Sequence, residues 1–344
     1  MLEVAREVLR GEDAWVVGGA VRDEVLGRDV IDLDIACREP ERASRAYAKR
    51  SGGAPFLLSE RHGAWRVALA EGRTVDFTPL RDGIEDDLAT RDFTINAVAR
   101  PLAGGGEIDP FSGLDDLRRG VIRAVSPRVF EDDPLRLLRA VRLEDELGFR
   151  MDDGTEQLVR DGVGRVQNPA GERILAELER MSQAGYERLE ELGLLSPLGG
   201  AVDRLRGLGG APAGMRLVAV FGKGLRRLPV SNELRRYAGV LLRAELPADL
   251  SPRAIHRFRR ATEPWAIDAA RFAGGGGDLT RAIEKARRND PAEPLLRGDE
   301  LGLAPGPGIG RWLERIEEER AAGTISTREE ALALVRCSAS DERS

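Results

Sequence analysis

In the run VIDLDIA two aspartates, Asp32 and Asp34, stand one residue apart between apolar neighbours. On a strand, an i, i+2 spacing sends both carboxylates from one face and leaves Ile31, Leu33 and Ile35 for the packed side. Carboxylates held together beside an apolar layer repel each other and lose hydration, a cost that a divalent cation reverses. Hard oxygen donors on a rigid strand suit Mg²⁺, which takes one or two protein carboxylates and fills its octahedron with water and phosphate oxygens. An isolated Asp-x-Asp fits a water-facing edge strand at least as well. The preceding residues, WVVGGAVRDEVL, add a second signal. Gly18 and Gly19 end an apolar run at a tight turn, and a helix starting there points free N–H groups at an anion, with Arg22 as a further phosphate ligand. A phosphate cradle one short connection from a carboxylate pair is what nucleotidyl transfer needs at a triphosphate.

The elements that must position these groups follow from the hydrophobic pattern. Residues 14 to about 125 read as mixed α/β: short β-rich runs (WVV, VIDLDIA, AWRVALA, TVDFTPL) alternate with helix-like segments such as EPERASRAYAKRSG. From about 127 the chain reads as helix. In SPRVFEDDPLRLLRAVRLEDELGF the apolar residues Phe130, Leu135, Leu138, Val141 and Leu147 recur close to every 3.6 residues, and NPAGERILAELERM offers Asn168 as N-cap and Pro169 at the first helical position. PLGGAVDRLRGLGGAPAGM reads as a connection, FAGGGGD and LAPGPGIG as breaks between later helices, and CSASDERS as a frayed tail.

Composition limits the function. With 344 residues, 42% of them hydrophobic, the chain can bury a sizeable core and suggests two or three domains. No apolar run approaches a membrane span and the first residues lack a secretion signal, so a cytoplasmic location is expected, with no membrane partner. Cys37 and Cys337 have neither disulfide-framework nor zinc-ligand spacing and read as idle thiols. His62 and His256 are isolated, and neither is followed by aspartate, so no His-Asp phosphohydrolase site is expected. The net charge is −6, yet lysine occurs only at positions 49, 223 and 285, so the cations are mostly guanidinium groups, which grip phosphate bidentately. Arg253, Arg257, Arg259 and Arg260 form a basic helical segment that fits either RNA phosphates or a solvated face.

GGAVRDEVLGRDVIDLDIA, then TRDFTINAVA (90–99), IDPFSGLDDLRRGVIRAV (108–125) and FEDDPLRLLRAVR (130–142) together resemble, in order and spacing, the motifs of class II tRNA nucleotidyltransferases and the related bacterial poly(A) polymerases. The resemblance is dense from Trp15 to about Phe149 and fades beyond GERILAELERM. It implies that Asp32 and Asp34 hold metal ions that activate an RNA 3′-hydroxyl and stabilise the leaving pyrophosphate, with Asp76 as a third catalytic carboxylate. It assigns Arg91 and Asp92 to phosphates and ribose, Asn96 to steadying that site, and Arg139 to nucleotide binding. Thr90 stands where many members carry arginine. In this family the helix FEDDPLRLLRAVR reads the base. Asp133 and Arg136, three apart on one helix face, would give an acceptor beside donors, a pattern that matches cytosine and adenine and leaves buried groups unpaired with uracil or guanine. Asp132 would orient Arg136 or Arg139.

The resemblance implies a polymerase-β-like α/β nucleotidyltransferase head over 1–125, an all-α neck over 126–200 with the base-reading helix, and a helical body and tail over 201–344 that binds tRNA. The expected reaction is template-independent addition of nucleotides from CTP and ATP to a tRNA 3′ end with Mg²⁺. Members that build the whole CCA end carry a longer flexible loop after the third-carboxylate strand. Here Arg81 is followed almost at once by Glu85, Asp86 and Asp87, which favours a CC-adding enzyme working with a separate A-adding partner. A-adding, full CCA-adding and poly(A)-adding activity, and a catalytically silent RNA-binding homologue, stay open.

Overall fold

The computed structural model describes residues 1–60, 62–80, 82–303 and 306–341, with side chains to residue 336. Arg81, the Cys337 side chain and the end of the tail CSASDERS, all subjects of expectations above, lie outside them. The chain forms two compact units, Met1–Gly200 and Ala201–Ser344.

The first unit begins with α1 (Leu2–Val8), β1 (Ala14–Val17), α2 (Gly19–Val25), β2 (Asp32–Cys37), α3 (Pro40–Ser51), β3 (Ala54–Ser59), β4 (Ala64–Ala68), β5 (Thr74–Pro79), α4 (Ile84–Ala89) and β6 (Ala99–Pro101). Six strands form one sheet in the order β3-β4-β5-β2-β1-β6, with only β2 and β5 parallel. Alternation gives the sheet two different faces. Leu33, Ile35, Val67, Val75 and Phe77 belong to a buried cluster with Ala43, Tyr47 and Ala48 of α3, and the Tyr47 ring meets Phe77 edge-on at 5.7 Å. On the opposite face Ala36 and Val17 pack with Leu88, Ala97 and Ala99, while the start of β2 presents Asp32 and Asp34. Ile31, expected on the packed side, precedes the strand and is exposed, because β2 begins at Asp32. The pattern gave no signal for β3, since APFLLS lacks alternation and lies at the sheet edge with Phe56, Leu57 and Leu58 exposed.

α5 (Gly113–Arg119), β7 (Val121–Ile122), α6 (Val129–Asp132), α7 (Arg136–Leu147), β8 (Arg150–Met151), α8 (Asp153–Gly162), α9 (Gly171–Arg180) and α10 (Gln183–Glu191) complete the unit. The single helix expected over the FEDDPLRLLRAVR segment is two helices. Asp133 is extended (φ −146°, ψ 101°), because the ring of Pro134 disfavours helical backbone at the residue before it. α7 is braced by buried charge: Arg142 pairs with Glu146 and with Glu177 of α9, and Glu144 accepts from the Met151 N–H (2.8 Å) and from Arg188 (2.9 Å). α9 starts at Gly171 with Ala170 at the N-cap, so Asn168 and Pro169 lie ahead of it.

In the second unit, α11 (Ala213–Phe221), α12 (Asn232–Arg243), α13 (Pro252–Thr262), α14 (Ala266–Phe272), α15 (Gly277–Arg288), α16 (Pro307–Ala322) and α17 (Arg328–Asp341) follow one another with short 3-10 turns between some of them. The arginines of α13 face carboxylates. Arg253 pairs with Glu318 and Glu319, Arg257 with Glu318 (2.5 Å), Arg259 with Glu263 and Asp290, and Arg260 with Glu314. Among the described residues no helix is long and apolar enough to cross a membrane.

Candidate active site

The carboxylates of β2 and β5 meet in register, Asp34 beside Asp76, with Arg66 of β4 next in the row. Burial pushes the Asp34 carboxyl above its ordinary value and nearby Asp76 and Asp32 push it further, against the pull of Arg91 and Arg139. Among the described residues no hydrogen-bond donor reaches the Asp34 carboxylate. Asp32 is exposed at the strand start and accepts from Thr74 Oγ1 (2.7 Å). Asp76 is gripped at both oxygens by Arg66 Nε and Nη2, each at 2.7 Å. Among the described residues no group of three or more His, Cys, Asp or Glu is arranged to hold a metal ion. Asp32 and Asp34, the pair expected to hold a metal, would leave a divalent cation to draw its remaining ligands from water and phosphate oxygens. When bound, such a cation would neutralise the pair and a triphosphate together.

Gly18, at φ +70°, turns the chain from β1 into α2, and a Cβ there would stand 3.0 Å from Arg91 Nη1 and 3.3 Å from Asp34 Oδ2. Only glycine meets both demands. Beyond this turn opens a cavity of about 700 Å³, large enough for a nucleotide. It gathers Gly18, Gly19, Asp34, Arg91, Asp92, Asn96, Asp133, Arg136 and Arg139 of the expected residues. Arg22 is not among its walls. Its guanidinium bonds Asp23 (2.9 Å twice) and Asn96 Oδ1 (2.7 Å), and so steadies Asn96.

Asp92 is buried and accepts from the Phe93 N–H (2.8 Å) and Asn96 Nδ2 (2.9 Å), and Arg139 Nε lies 2.5 Å from it. Burial alone would raise its carboxyl, but Arg139, Asn96 and the Phe93 N–H outweigh this and hold it below the ordinary value. IDPFSGLDDL supports this corner. Asp109 caps α5 through the N–H groups of Gly113 (2.7 Å) and Leu114 (3.0 Å), and Asp116 accepts from Thr94 Oγ1 (2.7 Å). A Cβ on Gly113 would lie 2.0 Å from the Thr94 carbonyl oxygen, so the glycine lets α5 seat directly against the TIN turn.

Asp133 and Arg136 are not side by side on one helix face. Asp133, in the break before α7, pairs with Arg173 of α9 (2.7 Å), while Arg136 donates to the Thr90 carbonyl oxygen (2.7 Å). Asp132 is exposed and orients neither arginine; Arg139 is held by Asp92. The sequence reading passed over several walls of the cavity: His62, Thr78, Asp82, Asp86, Asp87 and Arg173. The acidic run EDD was a visible signal. Asp87 holds Arg91 through two bonds to Oδ2 (3.1 and 2.8 Å).

Residues 14–123 match the poly A polymerase head domain family. Across 94% of its length the chain is 33% identical to the A-adding tRNA nucleotidyltransferase of Deinococcus radiodurans, covering 94% of that protein. It is 31% identical to the CC-adding tRNA nucleotidyltransferase of Thermus thermophilus, covering 94% of this chain and 93% of that one. The chain belongs to the tRNA nucleotidyltransferase family. Its fold agrees: the Thermotoga maritima CCA-adding enzyme complexed with tRNA superposes with a TM-score of 0.75 at 25% identity, over 98% of this chain and 95% of that one. The architecture is thus a nucleotidyltransferase head with helical regions after it, and the protein is a nucleotidyltransferase of the CCA type. Of the carboxylates expected at the metal, Asp34 lines the cavity, together with Arg91, Arg136, Arg139 and Arg173, while Asp32 and Asp76 lie outside its walls.

Proposed function

We propose that this enzyme adds the two cytidines of the CCA end to tRNA from CTP, using Mg²⁺ at Asp32 and Asp34, and that a separate enzyme adds the terminal adenosine. The observation that carries the reading is the connection from β5 to α4. Only four residues separate Pro79 from Ile84, of which Arg81 lies outside the described residues. Its residues Asp82 and Gly83 form part of the cavity wall. A segment this short cannot act as the long flexible loop that family members building the whole CCA end carry at this point. Asp133 and Arg136 serve as base-reading groups, Arg91, Asp92, Asn96 and Arg139 as phosphate and ribose groups, and Gly18 and Gly19 as the cradle, with Arg22 supporting it through Asn96. The protein acts in the cytoplasm, where tRNA ends are made.

A-adding activity is the second reading, favoured by the 33% identity to the Deinococcus enzyme. Incubating the purified protein with a tRNA ending at its discriminator base and, separately, with one already ending in CC, with CTP alone, ATP alone or both, separates the two. The expected product carries two cytidines and no adenosine. A terminal A after two Cs, A added only to tRNA already ending in CC, or long A tracts from ATP alone would each refute the CC assignment.

A further inference from the structure

One cross-strand row runs from the sheet edge to the carboxylates: Phe56 of β3 faces Arg66 of β4, Arg66 faces Asp76 of β5, and Asp76 faces Asp34 of β2. Residues paired in register project from the same face, so Phe56 and Arg66 stand on the carboxylate side of the sheet. At about 4.8 Å per strand, Arg66 lies about 10 Å and Phe56 about 15 Å along the sheet from Asp34. Neither borders the nucleotide-sized cavity. Arg66 uses Nε and Nη2 to hold Asp76, and among the described residues Nη1 makes no hydrogen bond, so one edge of a fixed guanidinium is free. Phe56 is 45% exposed, and among the described residues no other ring packs on it.

In-line displacement at an α-phosphate places the attacking hydroxyl opposite the leaving pyrophosphate. With the triphosphate over the Gly18–Gly19 turn, on the β1 side of Asp34, the acceptor end arrives from the β5–β4 side. We propose that the β3–β4 hairpin is the track for the acceptor strand: the free edge of Arg66 grips a phosphodiester close to the RNA 3′ end, and Phe56 stacks on a base one or two nucleotides upstream. Asp76 is then the anchor that aims Arg66. An aromatic face beside a cation is the usual way of holding single-stranded RNA without reading its sequence. The proposal rests on the reading of this chain as an RNA 3′-end nucleotidyltransferase.

The test uses the full chain and a fluorescent tRNA acceptor minihelix with a single-stranded 3′ end. Equilibrium binding is measured by anisotropy, and KM is measured separately for the RNA and for CTP. Phe56→Ser and Arg66→Gln are each expected to weaken RNA binding and raise its KM about tenfold, with the CTP value moving less than about twofold. Phe56→Trp keeps wild-type values, and Arg66→Lys falls between wild type and glutamine. Arg66→Gln also flattens the slope of log Kd against log salt by about 0.7. The track is overturned if RNA binding is unchanged in both variants, or if only the CTP value moves. It is likewise overturned if Phe56→Ser alters only the mass in solution, which would make β3 a protein edge, or if Arg66→Gln only tightens Mn²⁺ binding, which would make Arg66 a plain counter-ion. If the wild type incorporates no nucleotide, the functional reading fails, while anisotropy still decides whether the hairpin holds RNA.

Discussion

Asp34 is half-buried and Asp92 buried, and their surroundings push the two acids in opposite directions. Asp34 has two like charges nearby and no described donor, whereas Asp92 has two hydrogen bonds and a guanidinium. At Asp34 burial and like charge outweigh Arg91 and Arg139, whereas at Asp92 the arginine and the two donors win. Asp34→Ala is therefore expected to abolish nucleotide incorporation while tRNA affinity, which comes mostly from phosphate contacts elsewhere, changes less than about threefold. Single-turnover incorporation and a filter-binding titration check the two halves. Asp92→Asn strands Arg139 beside the cavity and is expected to destabilise the fold by about 1–3 kcal/mol in urea titrations. The pH dependence has a definite sign. Because the folded-state value of Asp92 lies below its ordinary 3.8, its stabilisation is present above that pH and is lost as pH falls through the depressed value.

At the scale of elements, the break between α6 and α7 decides how the base-reading segment is presented. Pro134 keeps Asp133 off the helix and within reach of Arg173. Pro134→Ala would let the helix run on and rotate the carboxylate away from the cavity, so selectivity against UTP and GTP is expected to fall about 10- to 100-fold with little change in thermal stability. Misincorporation assays with each single nucleotide measure this. The sequence pattern anticipated β1, β2, β4, β5 and α3, because each is a short β-rich run or a helical period set off by charged, glycine or proline residues. It missed β3, whose apolar residues are consecutive and exposed, and it read through the Asp133 break, since the 3.6 period of the flanking apolar residues continues across it. Gly18, Asp34, Arg91 and Asp92 were visible because motif spacing placed them. Arg173 and Arg66 were not, since their importance comes from pairing across helices and strands that only the folded chain brings together.

For the whole molecule, the arginine-rich second unit is less free to meet a polyanion than its sequence suggests. The carboxylates opposite α13 are held below their ordinary values by the arginines they face, Glu318 by Arg257 and Asp290 by Arg259. In each pair one partner is largely covered and the other exposed, so the set acts mainly by fixing where charge lies. Arg257→Ala with Arg260→Ala is expected to weaken tRNA binding by less than about threefold at moderate salt. A larger loss would show that RNA displaces the glutamates of α16. Acid should loosen this unit, since lowered carboxylates contribute stability that disappears as pH falls below their ordinary range.

Arg142 and Glu177 lie 35 residues apart in the chain and touch in the core. This gives the pair a history as well as a structure. Loss of Arg142 leaves Glu177 a bare charge in an apolar setting, at about 3–5 kcal/mol, whereas loss of Glu177 leaves Arg142 its second partner Glu146 and costs less, and replacing both by well-packed apolar residues is often neutral. A lineage can thus keep the pair or exchange it whole, but the genotype that loses Arg142 first is poor, and a double-mutant cycle with Arg142→Met and Glu177→Leu should show strong epistasis. Among descendants of this enzyme the two positions should drift as a single inherited character.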